Sequence, residues 1–293
     1  MLAIIVINYK TEQKTIDYVK KELCKISMPH KTIIVNNGAT KESDNFLSNA
    51  LSATLIHDIE KKCLNNDYYV ISNNENSGFA IGNNLGATFA KLHFPPDYIL
   101  FSNNDIRLIS NNIVENLIEK LKSIPDAGII GPKVIGLKGE LQSPEPFHSF
   151  WDRHIWMYLS TPFYSKKKKI KRFQLDYAQT AQEGFHYKVM GSFFLVRACD
   201  FYKCGMMDSN TFLYAEETIL TERMKSIGKK VYYYPQVTVL HEHGATTQKH
   251  LKKTSKNKFA FQSECYYYKH YIKTNWIQIL IGKFVFKILS LIK

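Results

Sequence analysis

Short apolar runs alternate with segments of helical pattern through the first half of the chain, and this order restricts the fold more than any other feature. The runs at 3–8, 32–36, 68–72 and 98–101 have the length of buried strands. Helical patterns at 15–26, 78–92 and 113–124 lie between or after them. The sequence therefore predicts an α/β fold, with a mostly parallel sheet and helices on both faces.

Polar side chains stand where these predicted strands end. Asn8 ends the first strand, Asn36 ends the second, and Asp105 follows the strand at 98–101. In open α/β sheets, ligands bind just beyond the carboxyl ends of the strands. A carboxylate there is a typical place to hold a metal and a phosphate, and the other two strand ends could receive a nucleotide. Asn and Asp also form ordinary turns, so both interpretations stay open on these residues alone.

Two acids and a histidine in the second half are candidate partners for Asp105. Glu216 and Glu217 open a predicted helix, where they either interact with the helix dipole or supply a general base. Spacing alone favours the first role. His241 ends a predicted strand, and a histidine with a carboxylate suits manganese better than magnesium or calcium, although a lone histidine is more often a polar loop residue. The small residues and hydroxyls that end at Thr247 suit a phosphate-binding turn.

Charge and cysteine content restrict the partners and the compartment. The net charge of +13 implies an anionic partner, such as nucleic acid, an anionic membrane face or a phosphorylated substrate. Five cysteines without C-x-x-C spacing argue against a disulfide framework or a zinc site and fit a reducing cytosol. The apolar start at 1–8 has no basic region before it, so it predicts a buried strand and not a signal peptide.

The second half ends in basic and apolar stretches. The run of lysines and arginine at 166–172 predicts a solvated loop. The tail at 276–293 is apolar apart from Lys283 and Lys287, which share a helix face. An interfacial amphipathic helix fits this tail better than a membrane span, with packing on its own domain as the alternative. We therefore expect a domain at 1–248 and an extension at 249–293 that anchors a cytoplasmic protein on the inner face of the cell membrane.

The motifs also follow a recognisable order. The chain resembles the family 2 glycosyltransferases, especially the branch that includes many bacterial rhamnosyltransferases. The resemblance covers residues 3–247, and each motif in it is short. The matching stretches are IIVINYK at 4–10, VNNG at 35–38, NSGFAIGNNLG at 76–86, ILFSNND at 99–105 and IIGPK at 129–133, followed by 191–197, 212–223 and 234–247.

The resemblance implies a GT-A fold, a dTDP- or UDP-sugar donor and a divalent metal, Mn²⁺ or Mg²⁺. On the matched motifs, Asp105 takes the place of the metal-binding acid of the Asp-x-Asp signature, and His241 completes the metal site. Glu217 takes the place of the general base, with Glu216 as the next candidate. The positions expected to bind the donor are Asn8, Tyr9, Asn36, Gly78, Asn84, Asn104, Asp105, Gly191 and Thr247.

Three positions depart from the family pattern. Asn103 stands where many members carry the first acid of Asp-x-Asp, and Asn36 replaces the usual Asp near the nucleobase. Ile219 stands where a further Asp is common. Fewer carboxylates weaken a metal site, so metal dependence is an open question and an inactive family member is an alternative.

The function expected from these features is an inverting glycosyltransferase. It moves a sugar, with rhamnose favoured, from a nucleotide-diphosphate donor to a hydroxyl of a growing, lipid-linked bacterial cell-surface polysaccharide. One alternative is a sugar-nucleotide nucleotidyltransferase, but that class usually has a glycine-rich loop after the first strand, where this chain has Asn8-Tyr9-Lys10. The other is a basic nucleic-acid-binding protein. No helix-turn-helix, zinc-finger or RNP pattern appears, so no nucleic-acid partner is expected.

Overall fold

A computed structural model describes residues 1–159, 163–242 and 253–292. Within these residues, ten strands form one sheet in the order β3-β4-β2-β1-β5-β9-β7-β10-β6, and β8 pairs with β10. The strands, in chain order, are β1 Leu2–Asn8, β2 His30–Asn37, β3 Thr54–Ile56, β4 Tyr68–Asn73, β5 Tyr98–Ser102, β6 Ile106–Leu108, β7 Ala127–Gly136, β8 Gly184–His186, β9 Phe193–Arg197 and β10 Lys230–His241.

The predicted α/β sheet is confirmed, and its two halves differ in strand direction. In the first half β1 is parallel to β2 and β5, and β4 is parallel to β2 and β3. In the second half β7 and β10 are parallel, whereas β9 runs antiparallel to β5 and β7. Strands β6 and β8 run antiparallel to β10. The carboxyl ends of the parallel strands β1, β2 and β5 therefore meet at one edge of the sheet.

Helices cover both faces of the sheet. They are α1 Glu12–Lys21, α2 Lys41–Leu51, α3 Gly78–His93, α4 Ile113–Ser123, α5 Met157–Leu159, α6 Lys166–Phe173, α7 Tyr177–Thr180, α8 Ala198–Lys203, α9 Glu216–Ser226, α10 Lys253–His270 and α11 Trp276–Ile292, with a 3₁₀ turn at Leu23–Lys25 and a π-helical turn at Asp152–Trp156. Strand β1 shows why two layers form, because its side chains alternate between faces. Ile4 and Val6 pack in the core under α1 and α4, whereas Ala3 and Ile5 pack in the core under α3.

The basic run at 166–172 forms a helix, so the predicted loop is wrong. Ser165 caps α6, since its hydroxyl accepts a hydrogen bond from the backbone N–H of Lys168 at 3.3 Å. Phe173 is buried at the end of the helix, and Arg172 donates to Asp152 at 2.7 Å. A cap and two anchors at the C-terminal end thus hold a helix that composition alone does not favour.

Strand β10 also differs from expectation. The apolar runs at 231–234 and 237–240 predict two short strands on either side of Pro235, but β10 continues through it. Its register with β7 shifts between Tyr234 and Thr238, so the proline sits where no ladder hydrogen bond is required. Helix α2 was not predicted, because its capping box uses Thr40 with Ser43 in place of the usual acid or amide.

The two C-terminal helices pack on the domain through a third apolar cluster. Tyr267 and Tyr268 of α10 and Ile279 of α11 are buried there with Phe150. Among the residues the structure describes, no helix combines the length and the apolar character that a membrane span requires.

Candidate functional site

Side-chain amides connect the ends of β1, β2 and β5 in one hydrogen-bonded network. Asn8 donates to Asn36 at 2.8 Å, and Asn36 donates to Asp44 at 2.8 Å. On the other side, the Thr15 hydroxyl donates to Asn8 at 2.8 Å and accepts from Asn104 at 2.7 Å. All five side chains are buried. Asn8 and Asn36, two predicted donor-binding residues, thus bond to each other, Asn104 joins them through Thr15, and the network fixes the edge of the sheet where a ligand would lie.

Tyr9 lies beside this network at the mouth of the same edge. It is half-buried, and its ring edge would be 3.1 Å from a Cβ built on Gly38. Gly38 has a φ of +80°, so both conformation and space require glycine at this turn. The Lys10 ammonium lies 5.4 Å from the centre of the Tyr9 ring. This corner therefore offers an aromatic face and a cation to a ligand.

Gly78 and Asn84 hold a loop of the protein, the segment 207–215 that leads into α9. Gly78 has a φ of +85°, and a Cβ there would collide with the carbonyl oxygen of Phe212. The next residue, Phe79, donates its backbone N–H to that oxygen at 3.1 Å. The Asn84 amide donates to the backbone oxygen of Met207 at 2.8 Å and accepts from its N–H at 3.0 Å. Both residues were predicted to bind the donor; the structure shows them in contact with this loop, and their role in donor binding stays a prediction.

Asp105 and His241 face each other in a buried pair. Strand β6 begins directly after Asp105 and pairs with β10, with Ile106 opposite His241. As a result, Nε2 of His241 lies 3.3 Å from Oδ1 of Asp105. Burial raises the pKa of the Asp105 carboxyl, but contact with His241 and the charge of Lys14 lower it by a larger amount. The pKa of Asp105 is therefore below its usual range. The site therefore favours an ionised carboxylate.

The hydrogen bonds around this pair fit a divalent cation. Nδ1 of His241 lies 2.8 Å from the side-chain oxygen of Gln142, a contact that orients the ring so that Nε2 faces Asp105. Within the described residues, the buried Oδ1 of Asp105 has no well-aligned hydrogen bond. Nε2 of His241 and Oδ1 of Asp105 are close enough to each other for both to contact one ion.

The protein supplies few ligands to such an ion. Among the residues described, there is no group of three or more His, Cys, Asp and Glu side chains that could hold a metal. Mg²⁺ commonly binds one or two carboxylates, with water and substrate phosphates completing its shell. The Asp105 and His241 pair fits that kind of site, in which the ligand itself completes the coordination.

Glu216 and Glu217 differ sharply in environment at the start of α9. Glu216 is buried, and within the described residues its Oε1 has no hydrogen-bond partner. Burial and the neighbouring Glu217 raise the pKa of Glu216 to about 8, so it is mostly protonated at pH 7. Tyr214 and Ala215, just before the helix, have φ values of 73° and 67°. Strained non-glycine residues of this kind cluster at functional sites.

Glu217 is partly exposed and lies beside a cation. The Lys188 ammonium is 3.7 Å from its Oε1 and 3.2 Å from the Glu145 carboxylate. Burial lowers the pKa of Lys188, but the two carboxylates raise it more, so Lys188 stays charged. A Cβ on Gly191 would lie 3.3 Å from the Glu217 carboxyl carbon, so glycine leaves room for this acid. Of the two acids, Glu217 is the one that is partly exposed and lies beside a cation.

One backbone contact connects the two halves of the site. Asn103, two residues before Asp105, donates its N–H to the Ser192 carbonyl at 2.8 Å. Ser192 follows Gly191, which contacts Glu217. The antiparallel pairing of β5 with β9 thus brings the strand end at Asp105 near the acid at 217.

Thr247 lies outside the described residues, so its predicted role stays a prediction. Gln142, Lys188 and the buried Ser192 also belong to this region but were not predicted from the sequence. Gln142 and Lys188 lie outside the motifs used, and only their contacts with His241 and Glu217 reveal them.

Comparisons with solved structures define the class of fold. The mannosyltransferase PcManGT from Pyrobaculum calidifontis, in complex with GDP-Man and Mn²⁺, is similar with a TM-score of 0.58 and 10% identity, over 96% of this chain and 68% of that chain. TarS 1–349 from S. aureus is similar with a TM-score of 0.52 and 11% identity, over 92% of this chain and 72% of that chain. GalNAc-T7 with UDP, GalNAc and Mn²⁺ is similar with a TM-score of 0.51 and 13% identity, over 82% of this chain and 43% of that chain. The chain has the GT-A-like fold of glycosyltransferases.

Sequence comparison adds a distant relative. The low-salt glycan biosynthesis hexosyltransferase Agl10 of Haloferax volcanii is 22% identical over 218 residues, which is 74% of this chain and 59% of that protein. The chain therefore spans less than two thirds of this curated relative's length. No family model matches the chain.

Proposed function

We propose that this protein is a hexosyltransferase that uses a nucleotide-diphosphate sugar. The proposal rests on two features at one edge of a GT-A-like sheet. One is an ionisable acid, and the other is a pair of side chains that could hold a divalent metal. Glu217 beside Lys188 supplies the acid, and Asp105 facing His241 supplies the pair. The distant relative Agl10 is named as a hexosyltransferase, which supports the same reaction for this chain.

The proposed reaction is an inverting displacement at the anomeric carbon. Glu217 accepts the proton of the acceptor hydroxyl while the acceptor oxygen forms its bond to that carbon. The bond to the nucleoside diphosphate breaks on the opposite face. A positioned base of this type contributes about 10²- to 10⁴-fold. Glu216, which holds its own proton at pH 7, supports the strained turn before α9 and does not act as the base.

Asp105 and His241 are the residues that would hold Mn²⁺ or Mg²⁺ here. A bound ion would supply Lewis-acid stabilisation of the leaving diphosphate. Asp105 contributes an ionised oxygen, and Gln142 orients the His241 ring so that Nε2 faces it. Two of the neighbouring structures carry Mn²⁺ with GDP-Man or with UDP and GalNAc, which supports the use of a divalent metal.

The motif order supports membership of family 2 and its rhamnosyltransferase-like branch. On that basis the proposed donor is a dTDP- or UDP-sugar, with rhamnose favoured, and the acceptor is a lipid-linked bacterial cell-surface polysaccharide. The neighbours' ligands widen the donor panel that needs testing, because those structures are complexes with GDP-Man or with UDP.

Replacing Glu217 by Gln tests the chemistry. The amide cannot accept a proton, so release of nucleoside diphosphate should fall by about 10²- to 10⁴-fold, with donor binding unchanged. The assay measures nucleoside diphosphate from dTDP-rhamnose, UDP-sugars and GDP-mannose in the presence of Mn²⁺. Glu60, which is exposed and remote from α9 in sequence, gives the matched control as Glu60→Gln. Full activity in Glu217→Gln would overturn the assignment, and release of pyrophosphate from a nucleoside triphosphate and a sugar 1-phosphate would favour the nucleotidyltransferase alternative.

The proposed location is the cytoplasmic face of the membrane, with α11 as the contact. One face of α11 packs on the domain through Ile279 and Gly282. The opposite face is apolar and exposed, including Trp276 at 71% and Phe284 at 65% exposure. The exposed lysines at 283 and 287 lie at the edge of this open face. An apolar face with flanking lysines suits an anionic bilayer surface.

Vesicle binding tests this location. Phe284→Glu should weaken binding to vesicles of equal parts phosphatidylcholine and phosphatidylglycerol by about tenfold or more, because burying a Phe side chain is worth about 1.5–3 kcal/mol. Phe46→Glu is the matched control, since Phe46 is also exposed but lies on α2. Equal sedimentation of both variants with the vesicles would exclude α11 as the contact.

A further inference from the structure

One stretch of the surface combines lysines with exposed apolar side chains and has no role in the candidate site. It comprises residues 151–159 and 163–175, which we call the basic segment, and it contains the π-helical turn and helices α5 and α6. Its exposed large apolar side chains are Trp151, Tyr158, Leu159, Phe163 and Leu175. Phe163 is the most open of them, with 78% of its surface exposed. Single apolar side chains are normal on a protein surface, whereas a group of them marks an interaction site.

The basic segment folds back on itself, so these side chains share one part of the surface. Tyr164, just before α6, meets the ring of Trp156 edge-on at 6.3 Å between centroids. At the other end of α6, Arg172 pairs with Asp152 of the π-helical turn at 2.7 Å. Helix α6 therefore lies along the π-helical turn, and its lysines stand beside the exposed apolar residues.

Helix α6 carries positive charge that the described part of the chain leaves unpaired. Lys166, Lys167 and Lys171 are exposed, and within the described residues none of them forms an ion pair. The first turn of α6 has no acidic residue. Lysines there are repelled by the positive end of the helix dipole, and Lys167 and Lys171, four residues apart, repel each other. An anionic surface against α6 would offset both repulsions.

This combination favours a bilayer of anionic lipids over other anionic partners. Clustered lysines attract the phosphate headgroups, and exposed aromatic and leucine side chains enter the boundary between headgroups and acyl chains. A nucleic acid would also bind the lysines and could stack on Trp151. It would offer no apolar environment to Leu159 or Leu175, which a bilayer provides.

The basic segment begins beside α11. A Cβ on Gly282 of α11 would lie 2.5 Å from the ring of Phe150, the residue directly before the segment. The ring of Phe261 stacks on Phe286 of α11 at 4.1 Å between centroids and meets His154 of the π-helical turn edge-on at 5.2 Å. These contacts place the basic segment next to the helix already proposed to contact the membrane.

We propose that the basic segment is a second membrane contact, in which the lysines of α6 bind anionic headgroups and Phe163 enters the bilayer. The proposal rests on the membrane location given under the proposed function and adds a surface to it. It does not depend on the chemistry assigned to Glu217. Because α11 and the basic segment contribute different residues, variants can test the two contacts separately.

Vesicle sedimentation of the full chain at physiological salt tests the lysines. The vesicles contain equal parts of phosphatidylcholine and phosphatidylglycerol, and the variant replaces Lys166, Lys167 and Lys171 together by Gln. Binding should weaken by about fivefold for each lysine in contact, or by roughly 10²-fold if all three are in contact.

A matched control removes the same charge from other surfaces. It replaces three exposed lysines by Gln, namely Lys41, Lys62 and Lys122. Vesicle binding of this control should change by less than about twofold, because charges more than a Debye length of about 8 Å from the bilayer are screened.

Phe163→Glu tests the apolar part of the contact. It should weaken vesicle binding by about tenfold or more, because the apolar area that Phe163 buries in the bilayer is lost. Phe46→Glu is again the control, since Phe46 is exposed on α2. Weaker binding of both basic-segment variants, with Phe284→Glu unaffected, would support the basic segment and exclude α11.

Two results would overturn the proposal. One is that both basic-segment variants bind vesicles like the unchanged chain while Phe284→Glu binds more weakly, which would leave α11 as the contact. The other is that the triple lysine variant loses affinity for single-stranded RNA while Phe163→Glu binds vesicles normally, which would make α6 a nucleic-acid surface. If the unchanged chain does not bind these vesicles, the membrane location falls together with this proposal. Release of nucleoside diphosphate in solution would still report the proposed chemistry.

Discussion

Glu216 gives the sharpest prediction, because the fold buries a carboxyl group next to another acid. Its pKa is raised to about 8 from an ordinary value of 4.5, by burial first and by Glu217 second. The folded state therefore binds this proton more tightly than the unfolded chain does. The stabilisation is fully present below about pH 4.5 and is lost as pH rises through about 8. The Glu216→Gln variant keeps the shape of the protonated acid and cannot ionise.

The size of the effect follows from the shift. One pKa unit corresponds to about 1.4 kcal/mol, so a shift from 4.5 to about 8 sets a ceiling of about 5 kcal/mol on the difference. Because the turn before α9 can relax and admit water, we expect on the order of 3 kcal/mol. Glu216→Gln should thus match the unchanged chain at pH 4.5 and exceed it in free energy of unfolding at pH 9.

Urea unfolding at pH 4.5, 7 and 9 measures this difference. The exposed Glu60 again provides the control, since Glu60→Gln should follow the unchanged chain at every pH. If the free energy of unfolding changes with pH by the same amount in Glu216→Gln and in the unchanged chain from pH 4.5 to 9, the buried acid has an ordinary pKa. Glu216 would then again be a candidate for the general base.

Two further predictions concern the metal-compatible pair and the loop before α9. Asp105→Ala should remove the Mn²⁺-dependent part of the thermal stabilisation by UDP or GDP, and an unchanged shift would take Asp105 out of the site. Asp208→Asn should lower the free energy of unfolding at pH 7 by about 2 kcal/mol, because hydrogen bonds from Tyr271 and Tyr266 outweigh burial and lower the pKa of Asp208 to about 2. Since a depressed pKa stabilises above the unfolded value, this difference should shrink as pH falls from about 4 to about 2. Equal losses at pH 7 and pH 2 in urea unfolding would contradict it.

The strand ends show how far residue patterns reach. Asn8, Asn36 and Asp105 were expected at one edge of the sheet because parallel strands that follow helices end on the same side. The structure has them there, with Asn8 bonded to Asn36 at 2.8 Å. What the pattern did not contain is that these amides satisfy each other. That depends on distances across strands which are far apart in sequence.

Asp105 and His241 could be predicted only in part from the sequence. Their residue types and strand-end positions suggested a pair, but the three-residue strand β6 that aligns them is too short to show a pattern. Gly78 and Asn84 lie in the helix that the sequence predicts at 78–92. Their contacts with Phe212 and Met207 could not be predicted, because they depend on how α3 packs in the fold.

The sequence by itself determined the α/β fold and the edge of the sheet at which polar residues meet, because apolar periodicity and strand direction are local properties. The tertiary structure decided that Glu216 is buried while Glu217, the next residue, is partly exposed beside Lys188, which is remote in the chain. It also decided that Tyr267 and Tyr268 of α10 are buried on the domain with Phe150. Helix packing is set by the sum of many distant contacts, and no short stretch of sequence encodes it.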